Sequence, residues 1–219
     1  TGKTTPPPNS ADFFLLSLDA IATRKYAGGT GDLNTPYQIA TAEHMNQIGL
    51  HEEDWNKHFQ LTADIDLAPF DGKEGRPAFN IIAPSIDSGE SDCQSIPFTG
   101  VFDGNGHAIS NFVCMLRKML DVGLFGVVTD PNAEIRNLRL LAPKIDVWAY
   151  NVGALVGHLK QGTLLNCHAE DVNIDGHSGN VGGLVGQGGL AELLPRHTLA
   201  VIRNCSSTGR ISANFSGTA

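Results

Sequence analysis

With 219 residues, 25 of them glycine, and only 17% charged against 41% hydrophobic residues, the chain can bury a large core but not as a helical bundle. Its 15 Lys+Arg against 23 Asp+Glu leave a formal net charge of −8. That balance excludes a non-specific nucleic-acid binder, which needs a basic stripe to displace phosphate counterions. No uninterrupted apolar run approaches the ~20 residues that span a bilayer as a helix.

Residues 1–10, TGKTTPPPNS, read as an extended leader, because three successive prolines fix φ and remove backbone donors. From Phe13 to Arg24 the residues Phe14, Leu18 and Ile21 fit a helical stripe, and an added edge strand fits as well. A glycine-rich turn region follows from Tyr26 to Pro36. Thr41 then reads as a helix N-cap, and a short helix Ala42–Ile48 should stop at Gly49. Beyond it a strand of period two sets Leu61, Ala63, Ile65 and Leu67 on one face and Thr62, Asp64 and Asp66 on the other.

From here the chain repeats itself. Val122-Gly-Leu-Phe-Gly126 recurs as Val152-Gly-Ala-Leu-Val-Gly157 and Val181-Gly-Gly-Leu-Val-Gly186, at intervals of 30 and 29 residues. A second element, Ile135-Arg-Asn-Leu138, recurs as Leu165-Asn-Cys167 and Ile202-Arg-Asn-Cys205, so Asn137, Asn166 and Asn204 share one slot. The earlier Ile109-Ser-Asn-Phe112 adds Asn111, and the long last interval holds an insertion, Gly188 to His197. Three short strands per thirty residues match one coil of a right-handed parallel β-helix. One coil cannot bury its own apolar side chains, whereas stacked coils share a continuous interior. The expectation is an all-β solenoid with a short N-terminal capping helix. Residues 1–25 form its leader, 26–58 its cap and 59–219 its repeats, which continue past Ala219. The recurring Asn111, Asn137, Asn166 and Asn204 should form a structural amide ladder.

The Val-Gly-Gly-Leu-Val-Gly and Asn-Cys elements resemble the GLUG-motif repeats of bacterial secreted and cell-surface proteins. The likeness extends upstream through Tyr26-Ala-Gly-Gly29, Pro36-Tyr-Gln-Ile-Ala-Thr-Ala42 and Phe98-Thr-Gly-Val-Phe-Asp-Gly-Asn-Gly106. The resemblance implies a pectin-lyase-like β-helix and an extracellular setting, in multidomain adhesins among others. It implies no catalytic residue. Some proteins with such repeats are immunoglobulin-cleaving zinc peptidases whose chemistry lies in a separate domain.

The residues suggest little chemistry of their own. His51-Glu52 opens like a zinc-protease H-E-x-x-H, but Trp55 takes the second ligand position. His44, His51 and His58 are seven apart, yet Gly49 should end their helix. Asp64 and Asp66 on one strand face are the Ca²⁺ candidates, since Ca²⁺ collects carboxylate oxygens. Asp103-Gly-Asn-Gly106 is a turn signature, and Arg136 and Arg203 fall in one repeat slot as a prospective exposed ladder. Cys93, Cys114, Cys167 and Cys205 show no C-x-x-C pair, so buried thiols are favoured over a metal or redox site. Cys167 and Cys205 should lie in adjacent coils, reduced.

No catalytic or cofactor-binding set emerges. The expected function is a structural or adhesive module of a secreted or cell-surface protein that contacts a partner protein or glycan. It is also expected to associate through an uncapped C-terminal coil. The alternative is a polysaccharide lyase or glycoside hydrolase on the same scaffold. A cleft framed by the loop Asp71–Ser95 and the insertion Gly188–His197 would favour that alternative.

Overall fold

Two coils turn at paired corner residues with left-handed backbone geometry, Asn137 and Ala142 in one and Asn166 and Asp171 in the next, and the strands on either side keep their partners. The computed structural model describes residues 24–86, 95–115, 117–177, 179–189 and 200–213. Most of the expected leader, Cys93, most of the insertion and residues 87–94 of the 71–95 loop lie outside these residues.

In chain order β1 (Tyr37–Ile39) and α1 (Ala42–Leu50) open the stack, and the coil laid on β1 supplies β2 (His58–Leu61), β3 (Ile65–Asp66) and β4 (Ser85–Ile86). The next supplies β5 (Val101–Asp103), β6 (Ala108–Ser110), β7 (Val113–Cys114), β8 (Arg117–Val122) and β9 (Phe125–Val128). Longer strands follow: β10 (Glu134–Leu141), β11 (Lys144–Gly153), β12 (Val156–Leu159) and β13 (Gly162–Gly176). The last described strands are β14 (Asn180–Gly182), β15 (Val185–Gly188), β16 (Ala200–Arg203) and β17 (Ser206–Ala213).

All pairings among these strands are parallel except β4 on β8, so the architecture is a parallel β-helix. One interior column runs its length in unbroken register: Tyr37, Phe59, Phe102, Ile135, Leu164 and Ile202. Phe59, Phe102, Ile135 and Leu164 are fully buried, while Ile202 in the last coil is 49% exposed. Phe98 and Phe125 pack edge-on beside the column, with ring centroids 5.0 Å apart. Aromatic bulk therefore fills the wide N-terminal coils, and aliphatic residues fill the later ones.

Each later coil has four straight stretches rather than three. The second element and the third segment are continuous strands that bend, because Asn137 (φ 52°) and Ala142 (φ 50°) turn β10 and its exit while neighbouring residues keep their partners. The Val-Gly repeat supplies the extra stretch. It is an arch that leaves one sheet (β8, β11, β14) and enters another (β9, β12, β15). Val122, Val152 and Val181 stack in register before the bend, and Phe125, Val156 and Val185 stack after it. Leu124, Leu155 and Leu184 sit at the bend in every copy.

At the N-terminal end Thr41 Oγ1 accepts from the His44 amide at 3.2 Å, and Met45 and Ile48 are fully buried in the common core. The helix runs on to Leu50, past the expected stop. Gly49 is there for another reason: a Cβ would meet the Asn80 carbonyl, so it permits close packing and does not terminate the helix. Segment 26–58 also contains β1, which pairs with β2, so the solenoid begins inside the expected cap. The outer edge of β1 is covered, since Gln38 exchanges two backbone hydrogen bonds with Ala27 and Gly28.

The expected strand from Leu61 to Leu67 is interrupted between β2 and β3. Its inside–outside alternation survives: Leu61, Ile65 and Leu67 are buried, and Thr62, Asp64 and Asp66 are exposed. Side-chain period reports which way residues face, and a bend need not disturb it.

Candidate polar ladders and groove

Asn137, Asn166 and Asn204 all adopt left-handed geometry, with φ of 52°, 52° and 51°. Asparagine tolerates this region better than other residues with a side chain, and here it serves twice. Asn204 Nδ2 donates to Asn166 Oδ1, Asn166 Nδ2 donates to Asn137 Oδ1 at 3.0 Å, and Asn137 Nδ2 donates to Asp103 Oδ1 at 3.1 Å. Every amide points the same way, so the first member must only accept. A carboxylate meets that need because it carries no donor when ionised.

Asn111 does not belong to this column. Its slot continues as Ala142 and Asp171, which share its left-handed corner, and its own amide donates to Asp66 Oδ1 at 2.8 Å. Sequence spacing of 26 residues suggested one ladder, but the two corners of a coil lie only five residues apart (137 and 142), and Asn111 occupies the other.

A further ladder escaped the sequence reading. Asn180 Nδ2 donates to Asn151 Oδ1 at 2.9 Å, and Asn151 Nδ2 donates to Asp121 Oδ1 at 2.6 Å. Asp121 and Asn151 are 5% and 7% exposed, which places these bonds in a low-dielectric setting. The signal was available, because Asp121, Asn151 and Asn180 each stand one residue before the valine of a motif copy.

The two sheets of the arch meet at glycines. A Cβ on Gly157 would lie 2.5 Å from Val122 N and 2.8 Å from the Asp121 carbonyl carbon, and one on Gly186 would lie 2.5 Å from Val152 N. Neither glycine has positive φ, so close backbone approach is what demands them. Beside this line runs a shallow groove of about 340 Å³. Asp121, Asn151 and Asn180 line one side, His158, Lys160 and Gln187 the other, with Leu120, Tyr150 and Gly179 completing it. His158 Nε2 donates to the Gly189 carbonyl at 3.0 Å, and its Nδ1 lies 3.8 Å from Asp121 Oδ1. Both members of this acid–imidazole pair are thus engaged by the scaffold.

Two large aromatics face outward on β11. Trp148 is 41% exposed and stacks on His177 at 5.2 Å between centroids, and Tyr150 is 60% exposed at the groove. His177 Nε2 lies 3.0 Å from Asp146 Oδ1, which holds the imidazole under the indole.

The Ca²⁺ candidates are drawn into turn capping. Asp64 Oδ1 accepts from the Ala108 amide at 2.9 Å and lies 3.1 Å from His107 Nδ1. Asp66 Oδ1 accepts from Asn111 Nδ2 and from the Ala68 amide at 2.9 Å. These bonds hold both carboxyls below their ordinary range, led by the Ala108 amide for Asp64 and the Asn111 amide for Asp66. No group of three or more His, Cys, Asp or Glu side chains that could hold a metal ion occurs among the described residues.

The prospective arginine ladder is broken by Leu165, which stands between Arg136 and Arg203 in the register. Arg136 instead donates to Asp103 Oδ2 at 2.9 Å and to Glu134 at 3.2 Å. Cys167 and Cys205 are adjacent with no disulfide between them, the Cys167 amide donating to Cys205 Sγ at 3.4 Å. Burial pushes the Cys167 thiol up to about 12, so it is inert at neutral pH.

Asp103 yields a pH prediction. Partial burial raises its carboxyl, but the Asn105 amide, Asn137 and Arg136 outweigh that and hold it below the ordinary value. A carboxyl depressed in the folded state stabilises above its unfolded pKa of ~3.9, and the contribution disappears as pH falls through the folded value. In thermal melts from pH 6 to pH 2.5, the native chain should therefore melt above Asp103→Asn at pH 6, and the gap should close at the acid end. A gap independent of pH would show that the carboxylate charge is not what anchors the ladder.

Residues 177–212 match the family model described as the GLUG motif. The chain is 33% identical over 135 residues to a protein of Evansella cellulosilytica described as a Gly-rich membrane protein, covering 61% of this chain and 14% of that one. It is 31% identical over 189 residues to halomucin of Haloquadratum walsbyi, covering 84% of this chain and 2% of that protein. The chain thus spans a small part of the relatives it matches. A solved structure from Bacteroides ovatus, described as an immunoglobulin A1 protease, aligns over 90% of this chain and 83% of its own at 17% identity with a TM-score of 0.47. Among the described residues no helix is long and apolar enough to cross a membrane. The chain is a parallel β-helix that carries the GLUG motif.

Proposed function

We propose that this β-helix is a non-catalytic structural and adhesive segment of a secreted or cell-surface protein, which holds a binding face rigid and contacts a glycan or protein through it. The observation that carries this reading is the pair of outward aromatics, Trp148 and Tyr150, fixed on a strand whose inward residues Ile145, Val147 and Ala149 are buried. Large exposed aromatics on a rigid element cost little entropy to immobilise and supply contact area, which is how recognition surfaces are commonly built. The in-register column from Tyr37 to Ile202 supplies the rigidity. Similarity to parts of much longer proteins, one described as a membrane protein, supports the surface setting.

Adhesion under flow tests it. Beads coated with the chain should stay on mucin- or matrix-coated glass at shear that removes albumin-coated beads, and Trp148→Ala with Tyr150→Ala should abolish the difference. Equal detachment of chain-coated and albumin-coated beads from every surface would defeat the adhesive reading.

A further inference from the structure

The geometry points to the groove beside the glycine line as a binding site for a neutral saccharide. This inference rests on the adhesive reading and names its ligand class. Among the described residues that line the groove, the formally charged ones are Asp121 and Lys160. One ammonium offers little hold on a phosphate or a sulfate, and the buried Asp121 offers little to a polycation. What remains is amide and imidazole: Asn151, Asn180, Gln187 and His158. Carboxamides present donors and acceptors side by side, and a ligand rich in hydroxyls, each both donor and acceptor, matches such a row without charge. Lys160, Gln187 and Tyr150 line the groove with polar side-chain ends. They are the groups a ligand would meet at the rim, whereas Asp121, Asn151 and His158 are tied by hydrogen bonds and serve as its fixed floor.

The Tyr150 ring supplies the second half of the recognition. It is 60% exposed at the groove, and an aromatic face packs against the C–H face of a pyranose, while the ring hydroxyls reach the amides. Trp148 lies two residues earlier on the same outward face, ~7 Å along the strand, so the aromatic strip continues beyond the groove. A cavity of about 340 Å³ sits at the lower end of small-ligand sites and takes one sugar unit at a time. A chain of sugars would therefore lie over the surface with one residue seated.

Affinity electrophoresis of the full chain in gels containing galactomannan, mixed-linkage β-glucan, α-mannan or dextran tests this, with polygalacturonate and heparin as anionic comparators. At least one neutral polysaccharide should retard the native chain. Tyr150→Ala should weaken that retardation about fivefold to tenfold. Lys160→Ala and Gln187→Ala should weaken it as well, while Arg203→Ala, on another face, should leave it unchanged. Melting temperatures measured alongside show that each variant is folded. No retardation by any neutral polysaccharide, retardation only by the anionic gels, or retardation indifferent to Tyr150 and Gln187 would each overturn the assignment. Beads that still adhere to protein-coated glass would then leave the adhesive reading standing with a protein partner, so the two can fail separately.

Discussion

Gly157→Ala is expected to destabilise the chain by about 3 kcal/mol or more, at the upper end of what overpacking a tight site costs. The new methyl would sit 2.5 Å from Val122 N, 2.8 Å from the Asp121 carbonyl carbon and 2.9 Å from the Gly126 carbonyl oxygen. All three are backbone atoms of stacked strands, so no side chain can swing aside to make room. Packed sheets ordinarily stand ~10 Å apart with side chains between them, and here the backbones themselves touch. For a chain of this size the loss corresponds to roughly 6–12 °C in melting temperature. Gly188→Ala is the matched control. It lies in β15 with nothing within 4 Å of its would-be Cβ and should shift stability by less than about 0.5 kcal/mol. Equal melting of the two variants would mean that the motif glycines are not set by close approach.

The second large effect is expected from Asn151→Asp. The native amide donates to Asp121 Oδ1 at 2.6 Å and accepts from Asn180. The substitution keeps the shape and the acceptor but faces one buried carboxylate with another. Two such groups cannot both ionise freely, so the pair's upper pKa rises, by about 2 units for close carboxylates, equivalent to about 2.7 kcal/mol. A carboxyl whose folded-state pKa is raised gives up stability as pH climbs above the unfolded value of ~3.9, and the loss levels off above the raised value. Urea denaturation should therefore show the full deficit at pH 7.5 and little or none at pH 4. An equal deficit at both would mean that the ladder tolerates a second carboxylate and that the loss comes from packing alone.

Much of the fold was legible because stacking converts a period in sequence into a ladder in space. The 30- and 29-residue spacing of Val122, Val152 and Val181 became a paired column, and so did the spacing of Asn137 and Asn166. Thr41 was readable as a helix cap because capping depends on residues within one turn. Readings that depended on what a neighbouring coil contributes went astray. Gly49 was read as a helix terminator, yet it answers to the Asn80 carbonyl, 31 residues away. Arg136 and Arg203 share a slot, but Leu165 from the intervening coil separates them. Asp103 was readable as a turn residue, and its role as acceptor for Asn137 was not.

The division has a physical basis. The amino-acid sequence alone determines the repeat: its length, its recurring asparagine slot, its inward apolar positions and the balance of charge that disfavours nucleic acid. These follow from local backbone preference and side-chain period. The tertiary structure alone decides which Asp heads each ladder, how closely the arch sheets approach, and that Asp121, His158, Lys160, Gln187 and Tyr150 share one groove. Those facts are distances between backbones of different coils, set by how two sheets meet, and no spacing within one coil encodes them.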